Sequence, residues 1–205
     1  MSLAEAITAF TALFVIIDPV GLTPIFTALT AGMSPAMRRR IAFRACAIAA
    51  GLLILFTLAG EAVLGFLGIS MPAFRIAGGL LLFLTALEML FEKRTKRREG
   101  QAEGHRAEEH LDDPSVFPLA LPLIAGPGAI ATMILLADGA APLALGQAIG
   151  VMLVVLALCF AFFNLAAPLE RLLGAVGINV VTRLLGMLLA ALSVQFVLDG
   201  LRAIW

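Results

Sequence analysis

Residues 3–31 read LAEAITAFTALFVIIDPVGLTPIFTALTA. At 1.5 Å per residue a helical run of this length exceeds the roughly 30 Å of a hydrocarbon core, and its only charges are Glu5 at the start and Asp18 near the centre. Asp18 is followed by Pro19, Gly21 and Pro24. Proline disfavours helical geometry at the residue before it, and Pro24 lacks the N–H that would bond the Val20 carbonyl. Backbone groups between residues 15 and 23 therefore need partners outside a regular helix, and residues 18–23 are expected to be non-helical. In lipid such groups are tolerated only inside protein or along a polar cavity. The stretch reads as a transmembrane helix broken at mid-membrane.

The rest of the 205-residue chain extends this reading. It is 61% hydrophobic and 14% charged, with a mean hydropathy of +1.06, far from the balance of a soluble domain. Polar punctuation separates six apolar spans, at 3–31, 35–60, 72–91, 116–137, 142–167 and 180–201. None alternates with the period of a membrane strand, so the expected fold is an all-α membrane protein of six transmembrane helices. Residues 1–91 form a first three-helix unit, 92–115 a charged cytoplasmic loop, and 116–205 a second unit. Cys46 and Cys159 lie inside apolar spans and read as buried hydrophobes. The N-terminal run lacks a basic leader and reads as a mature helix.

Basic residues fix an orientation. Arg38, Arg39, Arg40 and Arg44 follow the first span, six more lie between the third and fourth, and Arg171 and Arg183 flank the fifth-to-sixth connection. The other side holds Arg75 and Arg202. By the positive-inside rule the basic loops are cytoplasmic and both termini face outside the cytoplasmic membrane.

Laying the second half on the first exposes a repeat. Glu61, Leu64, Gly65, Gly68 and Ile69 match Glu170, Leu173, Gly174, Gly177 and Ile178. One deletion later Arg75, Gly78, Leu80, Leu81 and Leu84 match Arg183, Gly186, Leu188, Leu189 and Leu192. Three helices per copy is an odd number, so the copies enter the membrane from opposite sides, an inverted repeat able to rock between two access states. At the offset of 108 that relates Arg75 to Arg183, Pro19 falls on Pro127. The fourth span is thus expected to break as the first does, at Ala125-Gly126-Pro127-Gly128. Glu61 with Arg75, and Glu170 with Arg183, read as interfacial pairs, with a gate as the sharper alternative. The spacing Gly146-x-x-x-Gly150 permits close helix approach within the monomer or in a homo-oligomer.

A broken helix presents amides at the start of its second half and carbonyls at the end of its first. The amides suit a carboxylate and the carbonyls an ammonium, so two facing breaks can hold a zwitterionic amino acid largely by backbone. The candidate substrate-binding residues are Asp18, Pro19, Gly21, Thr23, Ala125, Gly126, Pro127, Gly128, Thr132 and Gln195. Asp18 is also the candidate for coupling to an ion, H⁺ or Na⁺. A carboxylate at helix centre costs about 2.5–3.5 kcal/mol on the insertion scale. The alternative role is an N-cap for the second half-helix.

Other chemistries lack their residues. His105 and His110 lie in the polar loop at a spacing that fits no helical zinc motif, so no metal site or cofactor is expected. No G-x-S-x-G, H-E-x-x-H or G-x-x-x-x-G-K-[ST] occurs, which argues against a hydrolase, a metalloprotease or an ATP-driven pump. Fourteen basic residues balance fourteen acidic ones, leaving no field for nucleic acid. A secondary transporter leads, with a passive channel, an exporter of another small solute and an intramembrane enzyme as alternatives; its partners are a small-molecule substrate, a coupling ion and membrane lipid.

DPVGLTPIF at 18–26 and PLIAGPGAIAT at 122–132 resemble the two signature segments of the MarC family of six-helix integral membrane proteins. The resemblance extends over essentially the whole chain. In that family the first segment opens on Asn or Asp before the proline, and here it is Asp18. The resemblance implies transport of small neutral amino acids such as glycine or alanine, driven by an ion gradient.

Overall fold

In the computed structural model the described residues are 2–91 and 113–204. Most of the 92–115 loop, with both histidines, lies outside them. Eight helical elements follow in order: α1 (Leu3–Ile17), α2 (Pro19–Leu29), α3 (Pro35–Phe66), α4 (Met71–Leu90), α5 (Ser115–Ile124), α6 (Pro127–Ala137), α7 (Pro142–Asn164) and α8 (Ala166–Arg202). There is no strand among the described residues. Among the described residues five helical stretches are long and apolar enough to cross a membrane, six if bent α5–α6 counts as one.

Local chemistry explains where these helices start. Ser2 caps α1, accepting from the Glu5 amide at 3.3 Å while its own amide donates to Glu5 Oε2 at 2.8 Å, a reciprocal capping box. Ser34 and Ser70 accept from the Met37 and Ala73 amides, with Pro35 and Pro72 in the first turns of α3 and α4. Proline there loses no intrahelical bond. Two of the expected boundaries shift. α3 continues to Phe66, and the last helix begins at Ala166 instead of 180, interrupted only at Gly174 (φ 62°). Apolar residues fill both stretches, so hydropathy alone does not mark these ends.

The spans differ in burial. In Leu3–Leu29 78% of the most apolar window is buried, against 22–39% in the other four unbent spans, so the first span runs through the centre of the bundle. Around it α3 buries a stripe of Ile41, Ala45, Ala49, Leu53 and Leu64 while Phe43, Leu55 and Leu58 face outward. Large apolar side chains exposed on this scale are what a lipid solvent permits and water does not.

α4 and α8 run antiparallel along a glycine seam. A Cβ on Gly200 would meet Pro72 and Ile76, on Gly79 Ser193 and Val197, and on Gly186 Met89 and Ala86, all at 2.7–3.3 Å. Removing side chains here lets the two backbones approach. Gly146 and Gly150 differ: a Cβ on either would meet no neighbouring element within 4 Å, so this spacing packs no helix in the monomer.

Chain direction gives the bundle two ends. The basic end carries the α2–α3 connection, Asp113 and the α7–α8 junction; the terminal end carries Ser2, the α3–α4 and α6–α7 turns and Arg202. Three pairs of contacts between elements match, α1 on α7 with α5 on α3, α2 on α8 with α6 on α4, and α2 on α7 with α6 on α3, while α1 also packs on α6 and α8 without a counterpart of similar extent.

Candidate functional site

The first break is one residue wide. Asp18 adopts left-handed backbone geometry (φ 57°, ψ 65°), ending α1 and opening α2. Asp and Asn are the ordinary side chains best able to take that conformation, because a short polar group can bond locally. The Asp18 Oδ1 accepts from the Gly21 amide at 3.0 Å, so the carboxylate caps α2 from within. Gly21 is glycine for a steric reason: a Cβ there would collide with the Asp18 carboxylate that caps the helix. The expectation that residues 18–23 are non-helical is corrected. Pro19 occupies the first position of α2, where a proline has no amide to orphan, and helix continues through Thr23 with Pro24 inside it. The Thr23 hydroxyl donates to the Pro19 carbonyl at 2.9 Å.

The second break is wider and more sharply bent. α5 is loosely wound, with Phe117 and Leu121 in extended geometry and cis peptide bonds before Pro118 and Pro122. α5 and α6 meet at 59°. Ala125 and Gly126 are the non-helical residues; Pro127 and Gly128 already belong to α6, which again narrows the expected break. Gly126 takes the capping position of α6, and no side chain caps that helix. A Cβ on Gly126 would lie 2.6 Å from the Pro122 carbonyl oxygen.

The two breaks are brought together. A Cβ on Gly128 would meet Ile16 Cγ2 at 3.2 Å and Leu82 Cδ2 at 3.0 Å, so the start of α6 lies against the end of α1, two residues from Asp18. Asp18 is 1% exposed and is the one acidic or basic side chain fully buried among the described residues. Pro19, Gly21, Thr23, Ala125, Gly128 and Thr132 are buried too. Thr132 donates its hydroxyl to the Gly128 carbonyl at 2.9 Å. Gly126 is half-buried, and Pro127 is exposed, lining an apolar groove of about 510 Å³ between α3, α4 and α6. Gln195 stands apart, exposed on α8 and donating to Asp199 at 2.8 Å.

The chain belongs to the MarC family. The family model, described as MarC family integral membrane protein, matches residues 3–205. A UPF0056 membrane protein of Archaeoglobus fulgidus is 43% identical over 201 residues, spanning 94% of this chain and 90% of that one. The UPF0056 membrane protein YvbG of Bacillus subtilis is 34% identical, over 100% of this chain and 98% of its own. The UPF0056 inner membrane protein YhgN of Escherichia coli K12 is 34% identical, over 97% and 96%. No solved structure matches the chain.

Two polar contacts of this MarC protein escape sequence reasoning. Arg75 does not pair with Glu61, which is exposed; its guanidinium meets Asp138 Oδ2 at 2.7 Å. Arg44 pairs with Asp113. Burial raises the Asp113 carboxyl, but the Ser115 hydrogen bonds and the charges of Arg44 and Arg40 outweigh it and hold the group below its ordinary 3.8. Each joins partners more than sixty residues apart, and no spacing rule announces such a pair. Glu170 Oε1 is buried without a hydrogen-bond partner. No cluster able to hold a metal occurs among the described residues.

Proposed function

We propose that this protein is a secondary transporter of small neutral amino acids, glycine or alanine in size, working by alternating access between two inverted repeats, α1–α4 and α5–α8. The observation that carries the reading is the juxtaposition of the Asp18 break and the Gly126 break at the buried centre of the bundle. α2 and α6 each run eleven residues, from Pro19 to Leu29 and from Pro127 to Ala137, a displacement of 108 at both ends. In that register Asp18 corresponds to Gly126. The first break caps its helix with its own carboxylate, whereas the second has a glycine and no side-chain cap. A substrate carboxylate bound at the start of α6 would fill the place that Asp18 fills at α2. Ile16 and Leu82 pack closely against Gly128, so the surroundings of the junction are apolar and favour a small substrate over a large one.

The matched contacts and the antiparallel α4–α8 seam support the inverted repeat, because copies related by an axis in the membrane plane pair their equivalent helices head to tail. The concentration of Arg38, Arg39, Arg40, Arg44 and Arg171 at the basic end supports cytoplasmic placement of that end. The chain is then a plasma-membrane protein with both termini outside, and the inner membrane named for YhgN agrees. Asp18 is the candidate for H⁺ or Na⁺ coupling, and the outward-facing Gly146 and Gly150 leave room for a homo-oligomer. Purified protein in liposomes should take up labelled glycine or alanine saturably, and a proton or sodium gradient should drive accumulation. Absence of uptake for every small neutral amino acid under either gradient would remove the reading.

A further inference from the structure

We infer that α2 and α6 are the two gating arms of the transporter, each reaching from a break to a contact with the opposite repeat that closes one end of the bundle. The inference rests on the transport reading and adds to it the residues that open and shut each side.

At the basic end the gate is aromatic. Phe26, near the end of α2, stacks on Phe163 near the end of α7, with centroids 4.5 Å apart and planes 11° from parallel. Both side chains are 1% exposed. They floor a cavity of about 290 Å³ that is also lined by Arg38, Arg39 and Asn164, and Arg38 lies 5.6 Å from the Phe26 ring centroid. Phe26 is eight residues beyond Asp18, about 12 Å along the helix. The stacked rings therefore stand between a vestibule at the basic end and the buried break.

At the terminal end the gate is ionic. Asp138 follows the last residue of α6, and Arg75 sits in the first turns of α4. Their side chains are about one-quarter exposed, placing the pair at the water-facing rim. Asp138 is twelve residues from Gly126, about 18 Å along α6. Both contacts cross between repeats, α2 to α7 and α6 to α4, and both are made at once while Asp18 is enclosed. That is an occluded arrangement, from which alternating access releases one arm at a time.

The test reads access to the centre. Ala129→Cys, in the first turn of α6, serves as the reporter in a background of Cys46→Ala and Cys159→Ala. A membrane-impermeant methanethiosulfonate is applied to right-side-out and to inside-out vesicles. Arg75→Gln should raise the modification rate only in the orientation that exposes the terminal end, by up to about fivefold, which is ~1 kcal/mol at 1.4 kcal/mol per tenfold. The swap Arg75→Asp with Asp138→Arg should return it to the parent rate. Phe163→Leu should raise the rate only in the other orientation, and Phe26→Leu should do the same from the opposite side of the stack. Equal rises in both orientations, or no rise for any variant, would overturn the gates. Glycine and alanine uptake is measured in the same preparations: the side-specific pattern without uptake keeps the arms and removes the substrate assignment, while uptake without the pattern removes the arms alone.

Discussion

Asp18 combines two demands in one side chain. It must adopt left-handed geometry and cap α2 through the Gly21 amide, and Asn meets both demands as well as Asp does. Asp18→Asn is therefore expected to keep the fold, while Asp18→Ala loses the cap and about 0.5–2 kcal/mol of thermal stability. Transport separates cap from coupling. If the carboxylate couples protons, Asp18→Asn exchanges substrate but no longer accumulates it against a gradient; undiminished accumulation by Asp18→Ala would deny the residue either role. The capping role was legible from Asp18-Pro19 alone, because an acid before proline in an apolar run is a helix-start signal. The width of the break was not. Proline at Pro19 signals interruption and initiation alike, and only the Asp18 backbone angles decide that the helix resumes at once.

Helices, not residues, carry the close approach of α4 and α8. The α4–α8 seam has glycine where backbones meet, and a Cβ on Gly79 would lie 2.8 Å from the Ser193 carbonyl oxygen and 3.0 Å from the Val197 amide nitrogen. Neither atom can rotate away. Gly79→Val is expected to force the helices apart at a cost of about 1–3 kcal/mol, visible as a lowered melting temperature in detergent, whereas Gly146→Val, with open space around it, should be nearly neutral in the monomer. Equal effects of the two would contradict the seam. At this scale the sequence was informative about span number, because polar punctuation and Ser-Pro starts are local signals. It was silent on α3 and α8 boundaries, which fall among apolar residues, and on the Arg75–Asp138 pair. The matching of Glu61 and Arg75 to Glu170 and Arg183 points to local partners; the observed pair instead joins α4 to the end of α6, and the residue 108 positions before Asp138 is Thr30, which is not acidic.

For the molecule as a whole, the energetics are those of a bundle that buries its polar interruptions and exposes its apolar faces. The central first span encloses Asp18, and the outer helices present Phe43, Leu55, Leu58, Leu184 and Leu188 outward. A protein so arranged holds a polar centre that lipid cannot reach, which is the setting for a carrier. Substrate counterflow tests this most directly. Liposomes loaded with millimolar unlabelled alanine are diluted into trace labelled alanine with no ion gradient present. A carrier with one central site exchanges internal for external substrate, so label should rise transiently inside above its equilibrium level, and Gly128→Leu, which fills the junction of the two breaks, should abolish the overshoot. Label entering monotonically to equilibrium, or an overshoot undiminished by Gly128→Leu, would contradict the account.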